Sequence, residues 1–148
     1  MIFDTHAHYD DESFDEDREE LLFSLKNKGV ETVVNVGASV ASTKKTFEIV
    51  KKYDFMYGAV GIHPEEVERR DESHMEWLKS LAADKKIVAI GEIGLDYHYD
   101  EPEREVQKKW FERQLALARE VDLPVIIHSR EATKDTMDIM REAAKAGN

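Results

Sequence analysis

Short apolar runs alternate along this chain with longer amphipathic stretches, and no other feature narrows the possible folds so far. The runs are Ile2-Phe3, Thr32 to Val36, Met56 to Ile62, Ile87 to Ile93 and Pro124 to Ile127. Val125, Ile126 and Ile127 are apolar in succession, so neither face of that segment is built for water. Parallel strands covered on both sides read this way, whereas half-exposed antiparallel strands alternate apolar with polar residues. The stretches between carry helical stripes. Leu21, Leu22 and Leu25 form the first, with Gly29 where a C-terminal cap belongs. Ser42 is placed to cap a second helix that buries Phe47 and Val50. Trp77, Leu78 and Leu81 make the third stripe. A fourth helix follows DEPERE, whose proline and acidic residues suit a first turn, and buries Val106, Trp110, Leu117 and Val121. A fifth carries Met137, Met140 and Ala144 and closes on Gly147-Asn148. Strands alternating with helices predict a parallel α/β architecture of five βα units. At this level an open doubly wound sheet and an incomplete barrel both remain.

Composition removes several classes of function. The 148 residues hold no cysteine, so disulfides, thiolate metal sites and cysteine nucleophiles are all excluded. Any metal must be held by imidazole and carboxylate, which suit zinc, manganese or magnesium. Net charge is −11, from 32 acidic and 21 basic side chains. A protein that grips nucleic acid by phosphate neutralisation alone is normally basic, which counts against an architectural DNA-binding role. It counts less against a nuclease, because bound divalent cations reverse the local sign where phosphate must sit. No apolar run approaches the roughly 20 residues of a membrane span. The opening MIFDTHAHYD lacks the regions of a signal peptide, so a cytoplasmic protein without a membrane partner is expected.

Chemistry-bearing residues gather at the ends of the apolar runs. His6 and His8 stand two apart, so on a strand both imidazoles face one side and can reach one cation. Asp4 shares their parity and could orient a ligand. Glu92 follows Val88 and Ile90 on one face of a buried run, with Ala89, Gly91 and Ile93 on the other. A carboxylate there needs a partner, either a buried base or a metal. Gly91 and Gly94 allow close packing and a sharp exit at that strand end. His128 closes PVIIH and shares a face with Ile126; Arg130 follows. His63 ends the third run in GIHP, ahead of the turn at Pro64. Each of these could be a satisfied core or surface residue taken alone. Together they put His or Glu at four of five strand ends, where parallel barrels carry their catalytic groups.

Other motifs are weaker. There is no G-x-G-x-x-G and no Walker loop. NVGAS reads as an ordinary βα turn, His74 as a solvated residue at a helix start, and His98 as a loop residue near the mouth. Trp77 and Trp110 sit at helical spacing with other apolar residues and read as core.

DTHAH at 4 to 8, VGIHP at 60 to 64, AIGEIGLDYH at 89 to 98 and PVIIHSR at 124 to 130 resemble, in order and spacing, the TatD family of metal-dependent deoxyribonucleases within the amidohydrolase-like group. The resemblance runs the length of the chain. It implies a TIM-type (β/α) barrel, with residues 1–148 as the N-terminal portion of one hydrolase domain and about five of its eight units. It also implies a site of two divalent metal ions. In that scheme His6 and His8 hold the first metal, Glu92 bridges the two and is the catalytic carboxylate, and His128 binds the second. His63, Asp96, Tyr97 and Arg130 are expected around the substrate cleft, with His63 touching phosphate. The family's two remaining ligands, a His and an Asp from later strands, have no counterpart here. The implied activity is metal-assisted hydrolysis of DNA phosphodiesters. Ligand geometry alone would serve an ester or amide equally, and a non-catalytic barrel fragment is the third reading. Five strands leave two edges, so a homo-oligomer or a complementing C-terminal fragment is an expected partner.

Overall fold

The computed structural model describes residues 1–99 and 101–147; Asp100 of the DEPERE segment and Asn148 lie outside them. Five strands and five α-helices alternate: β1 (Ile2–Ala7), α1 (Arg18–Leu25), β2 (Val30–Val36), α2 (Val40–Lys52), β3 (Met56–Val60), α3 (Glu72–Ala82), β4 (Ile87–Asp96), α4 (Arg104–Glu120), β5 (Val125–Arg130) and α5 (Thr133–Lys145). All neighbouring strands pair in parallel, in the order β1-β2-β3-β4-β5. A doubly wound sheet reverses its strand order at a switch point. This sheet never reverses, and it curls into half of a barrel. The fold class expected from the sequence therefore holds. Among the described residues no helix is long and apolar enough to cross a membrane.

Two apolar layers hold the sheet. On its helical side Val33, Met56, Val60, Ile90 and Ile93 pack with Leu22, Val50, Met75, Leu78, Phe111 and Leu117. On its inner side Val34, Val36, Ala59 and Ala89 cluster with the half-buried Tyr57, Val88 and Ile126, all strand residues. β1 is an edge, and Ile2 and Phe3 are exposed there.

Several local expectations need correction. Ile90 does not share a face with Val88 and Glu92: it is wholly buried under the helices, and Ala89 joins Val88 on the inner side. The cause is a bulge. Gly58 pairs with Ile87 and the next residue, Ala59, with Ala89, so β4 carries one extra residue at Val88 and strict alternation fails there. A second shift, between Ile90 and Ile93 against β5, flanks Glu92. Glu92 is also not at a strand end, because β4 runs on to Asp96. Gly94 therefore makes no exit. It pairs with His128 at φ 145, and a Cβ there would sit 2.0 Å from the His128 carbonyl oxygen. The α2 cap is Ser39, whose hydroxyl accepts from Ser42 N, rather than Ser42. In α3 the fully buried pair is Met75 and Leu78, with Trp77 and Leu81 flanking. Gly29 caps the first helical segment in a left-handed conformation (φ 82), as its position predicts.

Candidate metal centre

β1 ends at Ala7, and the two imidazoles either side of that end converge. His6 Nε2 and His8 Nε2 stand 3.1 Å apart. His8 Nδ1 donates to the Val36 carbonyl at 2.8 Å, which leaves the Nε2 lone pair of a neutral ring facing the cleft. Glu92 reaches the same point from β4: its Oε2 lies 3.5 Å from His6 Nε2 and 3.7 Å from His8 Nε2. Its other oxygen, Oε1, faces His128 Nδ1 at 3.2 Å. One carboxylate thus addresses two separate imidazole groups, one through each oxygen.

These spacings fit a cation. Zinc bonds of about 2.0–2.1 Å to nitrogen or oxygen, at tetrahedral angles, put neighbouring donor atoms roughly 3.3 Å apart. The observed separations bracket that value. Among the described residues two sets of three donors form, His6-His8-Glu92 and His63-Glu92-His128, with Glu92 common to both. His6 and His8 are partly open to solvent, while Glu92 is largely buried.

Charge within the cluster is balanced by proximity. Burial alone would raise the Glu92 carboxyl, but the His128 hydrogen bond and the charges of His6, His63 and His128 outweigh it and hold Glu92 below the usual carboxylate range. His128 moves upward, chiefly through its bond to Glu92, against its own burial and with help from Asp96. His63 falls to about 4, because it is desolvated and because His128 stands beside it. The two rings meet edge to face at 4.1 Å.

His63 differs from the other imidazoles. It lies three residues past β3 rather than ending it, and it caps the short 3-10 turn Pro64–Glu66, its Nδ1 accepting from Glu65 N at 3.3 Å. A neutral ring that accepts at Nδ1 carries its proton on Nε2, so His63 is better suited to donate to an oxygen anion than to ligate a metal.

The remaining expected residues separate. Asp96 is 2% exposed and accepts from His128 Nε2 at 2.8 Å, so it holds the His128 ring rather than lining open space. Tyr97 turns away from the cluster: its hydroxyl donates to Asp135 on α5 at 2.8 Å, and burial with that carboxylate raises it to about 12. Arg130 is exposed beyond the cluster with its guanidinium over the Tyr99 ring. Asp4 accepts from the His6 backbone N rather than from its ring. His74 completes the capping box of α3 with Asp71, remote from the cluster in the chain and in its contacts.

Supporting residues that the apolar pattern did not single out come from α4 and from the segment after His8. Gln107 and Gln114 are both 1% exposed. Gln107 accepts from Asp96 N and donates to Asp96 O. Gln114 does the same with Ile62, next to His63. The available signal was a pair of amides seven apart on the apolar face of one helix. On the other flank Asn35 accepts from Tyr9 N and donates to Asp10 and to Thr46, each at 2.8 Å, while the Ser42 hydroxyl donates to the second Asp10 oxygen. Every buried amide and carboxylate here is paired, which fixes the segment carrying His8.

An open cleft of about 1060 Å³ runs over the cluster, lined by His8, Ser39, His63, Glu92 and His128, with Tyr9 and Phe14 at its flank. A separate groove of about 660 Å³ between α4 and α5, around Leu115 and Ile139, brings in no imidazole.

Residues 3–148 match the family model described as TatD related DNase. The chain is 45% identical over 142 residues to an uncharacterized metal-dependent hydrolase, YabD, of Bacillus subtilis strain 168, covering 96% of this chain and 56% of that protein. It is 30% identical over 131 residues to the 3'-5' ssDNA/RNA exonuclease TatD of Cronobacter sakazakii, covering 88% and 50%. The crystal structure of YjjV, a TatD homolog from Escherichia coli K12, superposes with a TM-score of 0.88 at 31% identity, over 96% of this chain and 56% of that one. The chain spans about half the length of the curated relatives it matches.

Proposed function

The chain belongs to the TatD-related DNase family of metal-dependent hydrolases, and we propose that its site cleaves phosphodiester bonds of nucleic acid with two divalent cations, zinc, manganese or magnesium. The observation that carries this reading is Glu92, whose two oxygens face two imidazole groups. His6 and His8 with Glu92 would hold one cation, and Glu92 with His128 the other. When bound, such cations supply Lewis acidity at a phosphoryl oxygen and lower the pKa of water.

The chain's own groups do the rest. His8 is fixed by the Val36 carbonyl and His128 by Asp96, so both rings are oriented before a ligand arrives. His63, neutral near pH 7 and with Nδ1 occupied, presents an N–H to a phosphate oxygen beside His128. Arg130 adds a cation at the outer rim. The name of the Cronobacter relative points to single strands as the class of substrate.

The test is hydrolysis of a single-stranded oligonucleotide beside a carboxylic ester and an amide, with manganese or with excess chelator. Oligonucleotide cleavage should require metal and disappear in Glu92→Ala with the circular dichroism signal kept. Robust cleavage in chelator overturns the mechanism. Ester or amide turnover without oligonucleotide cleavage moves the site to another substrate.

A further inference from the structure

We infer that Tyr99, with His98 and Arg130, forms a stacking platform for an unpaired nucleobase next to the phosphate that the cluster would hold. This rests on the nucleic-acid reading of that cluster and extends it to a second part of the substrate.

Tyr99 is 55% exposed. Among the described residues the other exposed large apolar side chains lie elsewhere: Met1, Ile2 and Phe3 at the opposite end of β1, Phe23 on α1 and Met137 on α5. Of these, only Tyr99 stands just past a strand's C-terminal end, three residues beyond Asp96, whose carboxylate accepts from His128. Its ring is also held in place. The His98 ring meets it nearly perpendicular, at 82° and 4.6 Å between centroids. The Arg130 guanidinium carbon lies 5.5 Å from its centroid.

The platform is tied to the cluster through two hydrogen bonds. His98 N donates to Asp96 Oδ1 at 3.0 Å, and Asp96 Oδ2 accepts from His128 Nε2 at 2.8 Å. His98 is braced from the other side by its Nδ1 contact with Glu131, at 2.9 Å. A ring fixed this way loses little freedom when a flat partner stacks on it.

Arg130 makes no ion pair among the described residues, so its planar donor fork remains available to a phosphate while its face rests on Tyr99. The two together match a nucleotide: a π-surface for the base and a cation for the backbone. A chain of net charge −11 cannot gain nucleic-acid affinity from a broad basic surface, and stacking needs none. Bases inside a duplex already stack on each other, so an exposed ring selects strands whose bases are free.

Equilibrium binding, read by fluorescence anisotropy, separates the platform from the chemistry. The probes are a fluorescein-labelled single-stranded DNA with cleavage-resistant linkages and a strand of the same length and backbone lacking bases, both with manganese and read before either is cut. Tyr99→Ala should weaken binding of the base-bearing strand on the order of tenfold, leave the abasic strand unchanged, and be rescued by Tyr99→Phe. Equal loss on both strands, or no loss on either, overturns the platform. Wild-type chain that cleaves DNA yet binds both strands equally overturns the platform alone. Wild-type chain that binds neither strand and turns over only a small ester overturns the nucleic-acid reading with it.

Discussion

The two ends of the sheet handle polar groups in opposite ways. At the N-terminal ends of β3 and β4 the Lys86 ammonium donates to the carbonyls of Tyr53, Asp54 and Met56, at 2.9 to 3.0 Å, and rests over the Tyr57 ring. One cation there is matched by fixed dipoles. Near the C-terminal ends, His6, His8 and Glu92 turn donor atoms toward each other, with His8 held from behind by the Val36 carbonyl and the second Glu92 oxygen facing His128. Lone pairs facing one another repel unless a proton or a metal sits between them. The same backbone scaffold thus has one end satisfied by its own dipoles and one where donor atoms converge, the end at which we propose the metals bind.

Three changes test that contrast. The largest stability effect should come from Lys86→Met. It removes three charge-assisted hydrogen bonds at a half-buried position, and we expect a loss of about 2 kcal/mol, or roughly 4–8 °C in thermal midpoint. Manganese affinity by calorimetry should not move; if it does, the two ends are coupled and the contrast fails.

A smaller effect, at the other end, should follow Asp96→Asn. The neutral side chain fills the same space but orients His128 less firmly, so metal affinity should fall roughly tenfold with only a small drop in the thermal midpoint. A drop in midpoint with affinity intact would make Asp96 a structural residue only.

Smallest is the acid response, in which both ends take part. The Asp84 carboxyl, which accepts from Lys51 and from Lys86 N, is held below 3.8. Asp96 is held below the same value, since the His98 N–H and His128 outweigh its burial. Groups whose folded pKa is depressed stabilise fully above the unfolded value and cease to do so as pH falls through the folded one. The thermal midpoint should therefore decline only below about pH 3.8 on account of these groups. Asp84→Asn should lower the midpoint slightly at neutral pH and flatten that decline. A variant that tracks the wild type throughout would remove Asp84 from the account.

The alternation of strands and helices was legible in the sequence, because period and run length are local properties that each segment carries independently. So were the residue types that lie near the strand C-terminal ends: His6 and His8 by their spacing, His128 by closing an apolar run. Their convergence with Glu92 required the curl of the sheet. The bulge at Val88 was not legible, since alternation predicts Ile90 and Glu92 on one face. Only pairing with β3 shows where the extra residue is accommodated. The same holds for the supports. Gln114 meets Ile62 across 52 positions of sequence, and Asp96 meets His128 across 32. Tyr97 shows the limit in the other direction: its motif position suggests the cleft, but the partner that satisfies its buried hydroxyl is Asp135, on α5. Local spacing decides which face a side chain takes. Which distant group it meets is decided only when packing brings that group near and burial makes an unpaired polar atom too costly to leave.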